Sequence, residues 1–444
     1  MDAHLSLSST VLVTARRAGL RAGQDNTVNV LVRIQAPAAP AGHAAERPPQ
    51  ALALVIDRSG SMQGRPLDEA RRCAEYVVSQ LRPTDAVSLV QFDNRVQRLW
   101  PAAPVGDGAP LRAALAGIAA GGSTDLHGGW QEGAQTLSEV GGSGLKRVVL
   151  LSDGQANCGE TDAGVIAAEC AALAARGIGT STYGLGRGFN EELMVAMARS
   201  GGGNHYYGDT AEDLMEPFQQ ELDLLDNLCL RELTLSVSAA DGVLVEMVNQ
   251  FPIVGDGWRL PDLAWGAEAW AVLRLKVGEL VLPATGKPFT LLRVAVSGRS
   301  LSGEPVQLER IGLTLPVLSG SAFDDLEGDE GVARRLTELA AAQALSDMRI
   351  AAAAGDWDKV DRLLQEATRQ FAGNEWVAAM LASMTQIAED RSRERLMKEA
   401  MYSSGKLRGR LVAADEPDAY FASQEFVSVP SYLRRKPSQG KGNG

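Results

Sequence analysis

Leu52-Ala53-Leu54-Val55-Ile56-Asp57-Arg58-Ser59-Gly60-Ser61 is the stretch on which the reading of this chain turns. Five apolar residues in a row mark a strand buried on both faces, because a strand with one wet face would alternate. The run ends in a carboxylate followed by two serines. Asp57, Ser59 and Ser61 alternate, so their side chains can converge on one point above a sheet, and Gly60 lets the backbone turn sharply there. In an open parallel sheet, ligands bind at the carboxyl ends of the strands.

Working outward, Leu67, Ala70, Ala74, Val77, Val78 and Leu81 keep helical spacing, and Ala86 to Phe92 reads as a strand. A helix is expected near Leu111 to Ile118. The loop Gly-Gly-Ser-Thr-Asp-Leu-His-Gly-Gly (121–129) follows, then a helix through Gln131 to Leu137. Arg147 to Leu151 repeats the apolar-strand pattern and ends in Ser152-Asp153-Gly154. Ala163 to Arg176 reads as helix, Gly179 to Leu185 as strand and Glu191 to Ala198 as helix, and the stretch to Leu225 closes the unit. Strands alternating with helices predict an α/β fold, a doubly wound, mostly parallel, Rossmann-like sheet over 50–226.

The flanks have another period. Val28, Val30, Val32 and Ile34 fall on one side of a strand with Asn29 and Arg33 on the other, and an earlier strand runs near Val11 to Ala15. A Pro- and Ala-rich linker then leads to Gln50. After Asn227 the period of two returns in Leu233/Leu235/Val237, Val243/Val245/Met247, Leu273/Leu275/Val277 and Leu292/Val294/Val296. These predict a β-sandwich. Two N-terminal strands alone are marginal, so residues 1–49 are expected to join 227–322 in that sandwich, with the α/β unit inserted between them. Residues 323–412 are expected to form an α-helical domain. Its stripes are Val332/Leu336/Leu339/Ala340/Ala344/Met348, Val360/Leu363/Leu364/Ala367/Phe371 and Trp376/Met380/Met384/Ile387, broken at Gly355-Asp356 and Gly373-Asn374. This segment loosely resembles a tetratricopeptide-type hairpin, without a repeat at fixed period. Residues 413–444 are expected to form a mobile tail.

The chain has 444 residues, 45% of them hydrophobic and 22% charged, with a net charge of −12. The apolar fraction excludes wholesale disorder. The acidic balance argues against nucleic acid as a partner, since a phosphate backbone needs a basic face. Four scattered cysteines (Cys73, Cys158, Cys170, Cys229) suit neither a disulfide framework nor a zinc site, so a reducing, cytoplasmic location is expected. No leader pattern and no run of about 18 apolar residues is visible, so no membrane span is expected.

Asp57, Ser59, Ser61, Thr124 and Asp153 together offer two carboxylates and three hydroxyls, all hard oxygens. That set suits Mg²⁺, with Mn²⁺ or Ca²⁺ as alternatives. Coordination poor in carboxylate leaves the ion electrophilic and ready to take a further carboxylate from outside. The competing reading of Asp-x-Ser-x-Ser is a helix N-cap. A Ser–His127–Asp153 hydrolase triad lacks the nucleophile elbow. His4, His43 and His205 share no metal spacing and read as surface residues, and Cys158 as a small residue beside the site. Met194, Met197, Met380 and Met384 read as core. The acidic run Asp324-Asp325-Leu326-Glu327 with Asp329 and Glu330 reads as a solvated linker.

The five oxygen-bearing residues resemble the metal-ion-dependent adhesion site (MIDAS) of von Willebrand factor A domains, of bacterial type. The Asp-x-Ser-x-Ser motif is matched by Asp57, Ser59 and Ser61, the threonine loop by Thr124, and the later aspartate by Asp153. Asp125 adds an acid beside Thr124, and His127 is an unusual neighbour. The layout of such a domain beside a β-sandwich is similar to inter-α-inhibitor heavy chains and integrin β chains. The resemblance implies a non-enzymatic adaptor that grips a partner protein's Glu or Asp through Mg²⁺, with loops near Gln63, Asn94, His127 and Asn157 supplying specificity. It implies further partners of the kind found with such bacterial proteins: a MoxR-type AAA+ ATPase, or a kinase/phosphatase system. The alternative is a metal-dependent hydrolase or phosphatase, for which Asp125 and His127 are the available bases.

Overall fold

The computed structural model describes residues 9–40, 48–142, 144–185, 190–208, 210–413 and Leu433. Most of the expected tail lies outside these residues. The chain divides into two compact units, with boundaries after Pro40 and between Asp226 and Asn227.

Three strands open the chain: β1 (Thr10–Ala15), β2 (Leu20–Arg21) and β3 (Asn26–Gln35). The α/β unit then runs β4 (Ala51–Asp57), α1 (Arg65–Gln80), β5 (Ala86–Phe92), β6 (Val96–Pro104), α2 (Ala109–Ala116), α3 (Leu126–Ser138) and β7 (Lys146–Ser152). It continues with α4 (Ala163–Ala174), β8 (Ile178–Leu185), α5 (Glu191–Ser200), β9 (Gly202–Gly208) and α6 (Ala211–Asn227). The sheet order is β6-β5-β4-β7-β8-β9, parallel throughout except for the antiparallel edge pair β5/β6.

All seven residues of β4 are buried, as its unbroken apolar run requires. On one face of the sheet, Ala53, Val55, Phe92, Val148 and Leu150 pack against Trp130 of α3, Ile166 and Cys170 of α4 and Met194 of α5. On the other, Tyr183 of β8 stacks on Phe218 of α6 at 3.8 Å between ring centroids. Helices therefore cover both faces.

The unit departs from the sequence reading in three places. Strand β6 was not expected; it is a half-wet edge carrying Pro101 and Pro104, which an edge tolerates. The HYYGD stretch contains a strand, β9. Helix α3 starts at Leu126, five residues before the expected Gln131. Its glycines, Gly128, Gly129 and Gly133, do not break it. A Cβ on Gly129 would lie 2.4 Å from the Phe92 ring, and one on Gly133 2.4 Å from Val55 Cγ2. The glycines let α3 lie directly on β4 and β5.

The other unit continues with β10 (Leu228–Ala239), β11 (Val243–Met247), β12 (Ile253–Val254), β13 (Gly257–Arg259), β14 (Leu263–Ala264) and β15 (Ala267–Val277). Next come β16 (Pro288–Arg299), β17 (Pro305–Gln307), β18 (Ile311–Leu318), α7 (Gly320–Asp324), α8 (Glu330–Ala353), α9 (Trp357–Gln370), α10 (Glu375–Glu389), α11 (Arg393–Gly409) and β19 (Val412–Ala413). One sheet has the order β1-β3-β15-β11, with β19 also on β15. The second has the order β12-β13-β10-β16-β18-β2, with β14 on β10 and β17 on β16. Strand β3 pairs antiparallel with β15 from Asn26↔Val277 to Gln35↔Glu268, so residues before the α/β unit hydrogen-bond to residues after it.

Leu31, Trp270 and Val272 face Val332 and Leu339 of α8, which is why the β3 alternation is interrupted at Leu31. Helices α8 to α11 share a core of Leu345, Met348, Leu364, Trp376, Met380, Met384 and Leu396. Ala340, expected on the first stripe, is exposed; Ala341 and Ala342 take the inner face. Within the acidic run, Asp329 caps α8 by accepting from Val332 N at 2.8 Å, and Asp324 pairs with Arg21, so these two are not merely solvated. All four cysteines are free thiols, and among the described residues no helix is long and apolar enough to cross a membrane.

Candidate functional site

Strand β4 connects through α1 to β5 on one side, and the chain later returns as β7 on the other side of β4. The crevice beyond the ends of β4 and β7 is thus a topological switch point, where doubly wound sheets bind ligands. Asp57 ends β4 and Asp153 follows β7 directly.

The Asp57 carboxylate is fully buried. Its Oδ1 accepts from Ser59 N at 2.8 Å and its Oδ2 from Ser152 Oγ at 2.6 Å. Burial pushes its pKa up to about 6; the hydrogen bonds from Ser152 and Ser59 offset part of the rise, and the nearby charge of Asp153 adds to it. Ser59 Oγ and Ser61 Oγ lie 3.1 Å apart, Ser59 buried and Ser61 exposed.

Backbone bonds stitch the three loops together. Gly60 N donates to Gly122 O at 2.9 Å and Gly121 N to Arg58 O at 2.7 Å, tying the serine turn to the Thr124 loop. Thr124 N donates to Asn157 Oδ1 at 2.8 Å, while Asn157 N and Cys158 N donate to Thr124 O, tying that loop to the Asp153 segment. Thr124 and Asp153 are both buried. The structure thus draws the segments bearing all five residues to one sheet edge. The donor set fits a hard divalent cation, because a buried carboxylate held by neutral donors beside a second carboxylate lacks a positive partner. Among the described residues no three His, Cys, Asp or Glu side chains gather as a metal cluster, so a cation here would depend on hydroxyls.

The other candidates are engaged elsewhere. Asp125 caps α3, accepting from Gly128 N at 2.9 Å. His127 Nε2 lies 2.8 Å from Glu169 Oε2 on α4. Asp125 is thus committed to the helix start, and His127 is oriented by Glu169. His205 is not a surface residue: it is partly buried, its Nδ1 lies 2.9 Å from Thr182 Oγ1, and burial drives its pKa down to about 3. His4 and His43 lie outside the described residues. Gln63, Asn94 and Asn157 are exposed around the site.

Sequence reasoning missed Ser152 and Asp93. Ser152 was visible only as the residue before Asp153. Asp93 follows β5 directly, a third strand-end carboxylate at the same edge, and the strand-end rule alone would have found it. Its Oδ2 lies 2.7 Å from Arg58 Nη2.

Comparisons with known proteins bear on the fold of this unit. Residues 51–221 match the family model described as the von Willebrand factor type A domain, and this part of the chain is such a domain. Over 198 residues the chain is 27% identical to the uncharacterized protein sll0103 of Synechocystis, covering 44% of this chain and 46% of that one. It is 29% identical over 181 residues to the uncharacterized protein YfbK of Escherichia coli (40% and 31% of the two chains). It is 30% identical over 171 residues to inter-alpha-trypsin inhibitor heavy chain H1 of Mesocricetus auratus (36% and 18%). The chain therefore spans less than half the length of each of these relatives, two of which are bacterial. Among solved structures, a von Willebrand factor type A protein from Catenulispora acidiphila aligns with TM-score 0.67 at 17% identity, covering 86% of this chain and 91% of that one. The ArnB paralog VWA2 from Sulfolobus acidocaldarius aligns with TM-score 0.61 at 16% identity (90% and 98%). In both the likeness of fold extends well beyond residues 51–221.

Proposed function

We propose that this von Willebrand factor type A domain is a metal-dependent protein-binding module in an adaptor, and that it catalyses no reaction. Asp57, Ser59, Ser61, Thr124 and Asp153 would hold Mg²⁺, with Mn²⁺ or Ca²⁺ as substitutes, directly or through water. When bound, the ion supplies a Lewis-acidic corner for a Glu or Asp of a partner protein. The observation that carries the reading is Asp57: a fully buried carboxylate beside Asp153, oriented only by neutral donors, at the switch point of the sheet. The commitment of Asp125 to the cap of α3 weighs against a hydrolase or phosphatase.

One carboxylate–metal bond does not make a specific interface. A surrounding surface of roughly 1,200–2,000 Å² is needed, and the loops at Gln63, Asn94 and Asn157 are placed to contribute. On this reading the strands flanking the domain form a β-sandwich into which it is inserted, and the helical segment recruits a second protein. A MoxR-type AAA+ ATPase or a kinase/phosphatase system are the partner classes proposed, in the cytoplasm.

The test is capture of proteins on the immobilised chain in Mg²⁺ and in EDTA, alongside Asp57→Ala and Asp153→Ala. Partners held in Mg²⁺ should be released by EDTA and missed by both variants. Partners retained equally in all four conditions would remove the reading.

A further inference from the structure

We propose that Arg58 and Asp93 form a positioning strap that holds Thr124 in register with Asp57, Ser59 and Ser61; the proposal rests on the metal reading above. Arg58 lies between two candidate ligands in sequence, yet its side chain serves the loop opposite. Its guanidinium pairs with Asp93 Oδ2 at 2.7 Å and donates to Ala119 O at 3.1 Å. Its backbone is used twice: the amide donates to Phe92 O at 2.8 Å, and the carbonyl accepts from Gly121 N at 2.7 Å. Asp93 is buried, and its Oδ1 accepts from Arg95 N at 2.7 Å, closing the turn after β5. Its carbonyl accepts from Asp125 N at 2.9 Å.

Arg58 therefore grips the start of the 119–125 loop, Asp93 grips its end, and the ion pair joins the two grips. Thr124 lies inside the strapped span. The loop lies tightly on this strap. A Cβ on Gly121 would come 3.1 Å from Asp93 Oδ2, and Gly122, at φ +41°, has Asn94 Oδ1 where its Cβ would go. The pair has a second effect. It engages the third carboxylate at this edge with an arginine, so the site presents two acids to a cation and not three. Groups that orient ligands from behind typically change metal affinity 10- to 100-fold when removed.

The test counts free Mn²⁺ by electron paramagnetic resonance as MnCl₂ is titrated into the full-length chain, with Mg²⁺ as competitor. Arg58→Ala and Asp93→Asn should each weaken Mn²⁺ binding roughly tenfold, and the double variant should be no weaker than either single one. Asp93→Asn keeps an acceptor for Arg95 N, and Arg58→Lys keeps the ion pair and should recover to within about threefold of the wild type. Melting in EDTA checks that each variant folds; if Asp93→Asn does not, the comparison of Arg58→Ala with Arg58→Lys decides. Binding unchanged in both single variants, or fully additive losses, would overturn the strap. A wild-type chain that takes up no Mn²⁺, like a Thr124→Ala control, would overturn the metal reading itself and the strap with it.

Discussion

Asp57 sets the energetics at the scale of single residues. Its carboxyl is raised from 3.8 to about 6, chiefly by burial. Between those two values the folded chain binds more protons at this site than the unfolded chain, so stability falls as pH rises through them. The difference is on the order of 3 kcal/mol, fully lost above about pH 7. In EDTA the wild type should therefore lose stability relative to Asp57→Asn between pH 4 and pH 7, read as the shift in urea midpoint. Saturating Mg²⁺ should reverse the slope, because a bound cation favours the ionised carboxylate. If the gap between wild type and Asp57→Asn does not vary with pH in EDTA, Asp57 is not the strained acid described here. By the same logic Asp153→Ala should leave the apo protein at least as stable as the wild type, since it removes a like charge from beside Asp57. Asp153 Oδ1 accepts from Gln155 N at 3.2 Å, and a loss of more than about 2 kcal/mol would mean that this turn bond outweighs the relief of like charge. Asp57, Ser59, Ser61 and Asp153 were legible as candidates because buried strands advertise where they stop, and Thr124 only as a hydroxyl in the Gly-rich loop between them. Asp93 obeyed the same rule, but a carboxylate whose partners are Arg58 and the backbone amide of Arg95 leaves no motif. In the sequence Asp125 reads as an extra acid beside Thr124 or a candidate base; the hydrogen bond that it accepts from Gly128 N assigns it to the helix.

At the scale of elements, legibility followed burial. Strands β4, β5 and β7, each buried on six or seven of seven positions, read directly from the sequence. The half-wet β6 did not, since a mixed edge with two prolines resembles a loop. Helix α11 lies within the expected helical segment but has no stripe of its own in the sequence reading: its buried face mixes Lys398, Glu399, Ser403 and Ser404 with Leu396, Ala400 and Leu407. The first turn of α3, with Gly128 and Gly129, carries no apolar stripe, so its start is not legible in the sequence. Close approach at its third glycine carries a prediction. Gly133→Ala places a methyl group 2.4 Å from Val55 Cγ2, and neither the helix nor β4 can yield without disturbing the site at their ends. Overpacking of this kind costs about 1–3 kcal/mol, although alanine adds a little helix propensity. Gly133→Ala should lower the urea midpoint accordingly and weaken Mn²⁺ uptake. A variant as stable as the wild type would show that α3 rides higher on the sheet than described.

At the scale of the whole molecule, a chain that leaves one sheet after β3 and returns to it at β11 and β15 must tolerate a complete α/β unit in between. The sequence revealed this through its change of period at Ala51 and again after Asn227, because a parallel sheet buried on both faces and antiparallel strands with a wet side write different patterns. The order of pairing across sheets was not legible, since periodicity names a strand's face and not its neighbour. Two units with separate cores should unfold in two calorimetric steps, and a cation held only in the crevice of the α/β unit should stabilise only one. At a Mg²⁺ concentration near 100 times the dissociation constant, linkage contributes about 2.7 kcal/mol to that unit. For a unit of this size, each kcal/mol moves the midpoint by roughly 2–4 °C, so its transition should rise by about 5–10 °C while the other stays in place. Asp57→Ala should abolish that shift and leave both transitions present. A single transition that moves as a whole would mean that the strands and helices outside residues 51–221 sense the cation too, and the site would then be part of a device larger than the domain that carries it.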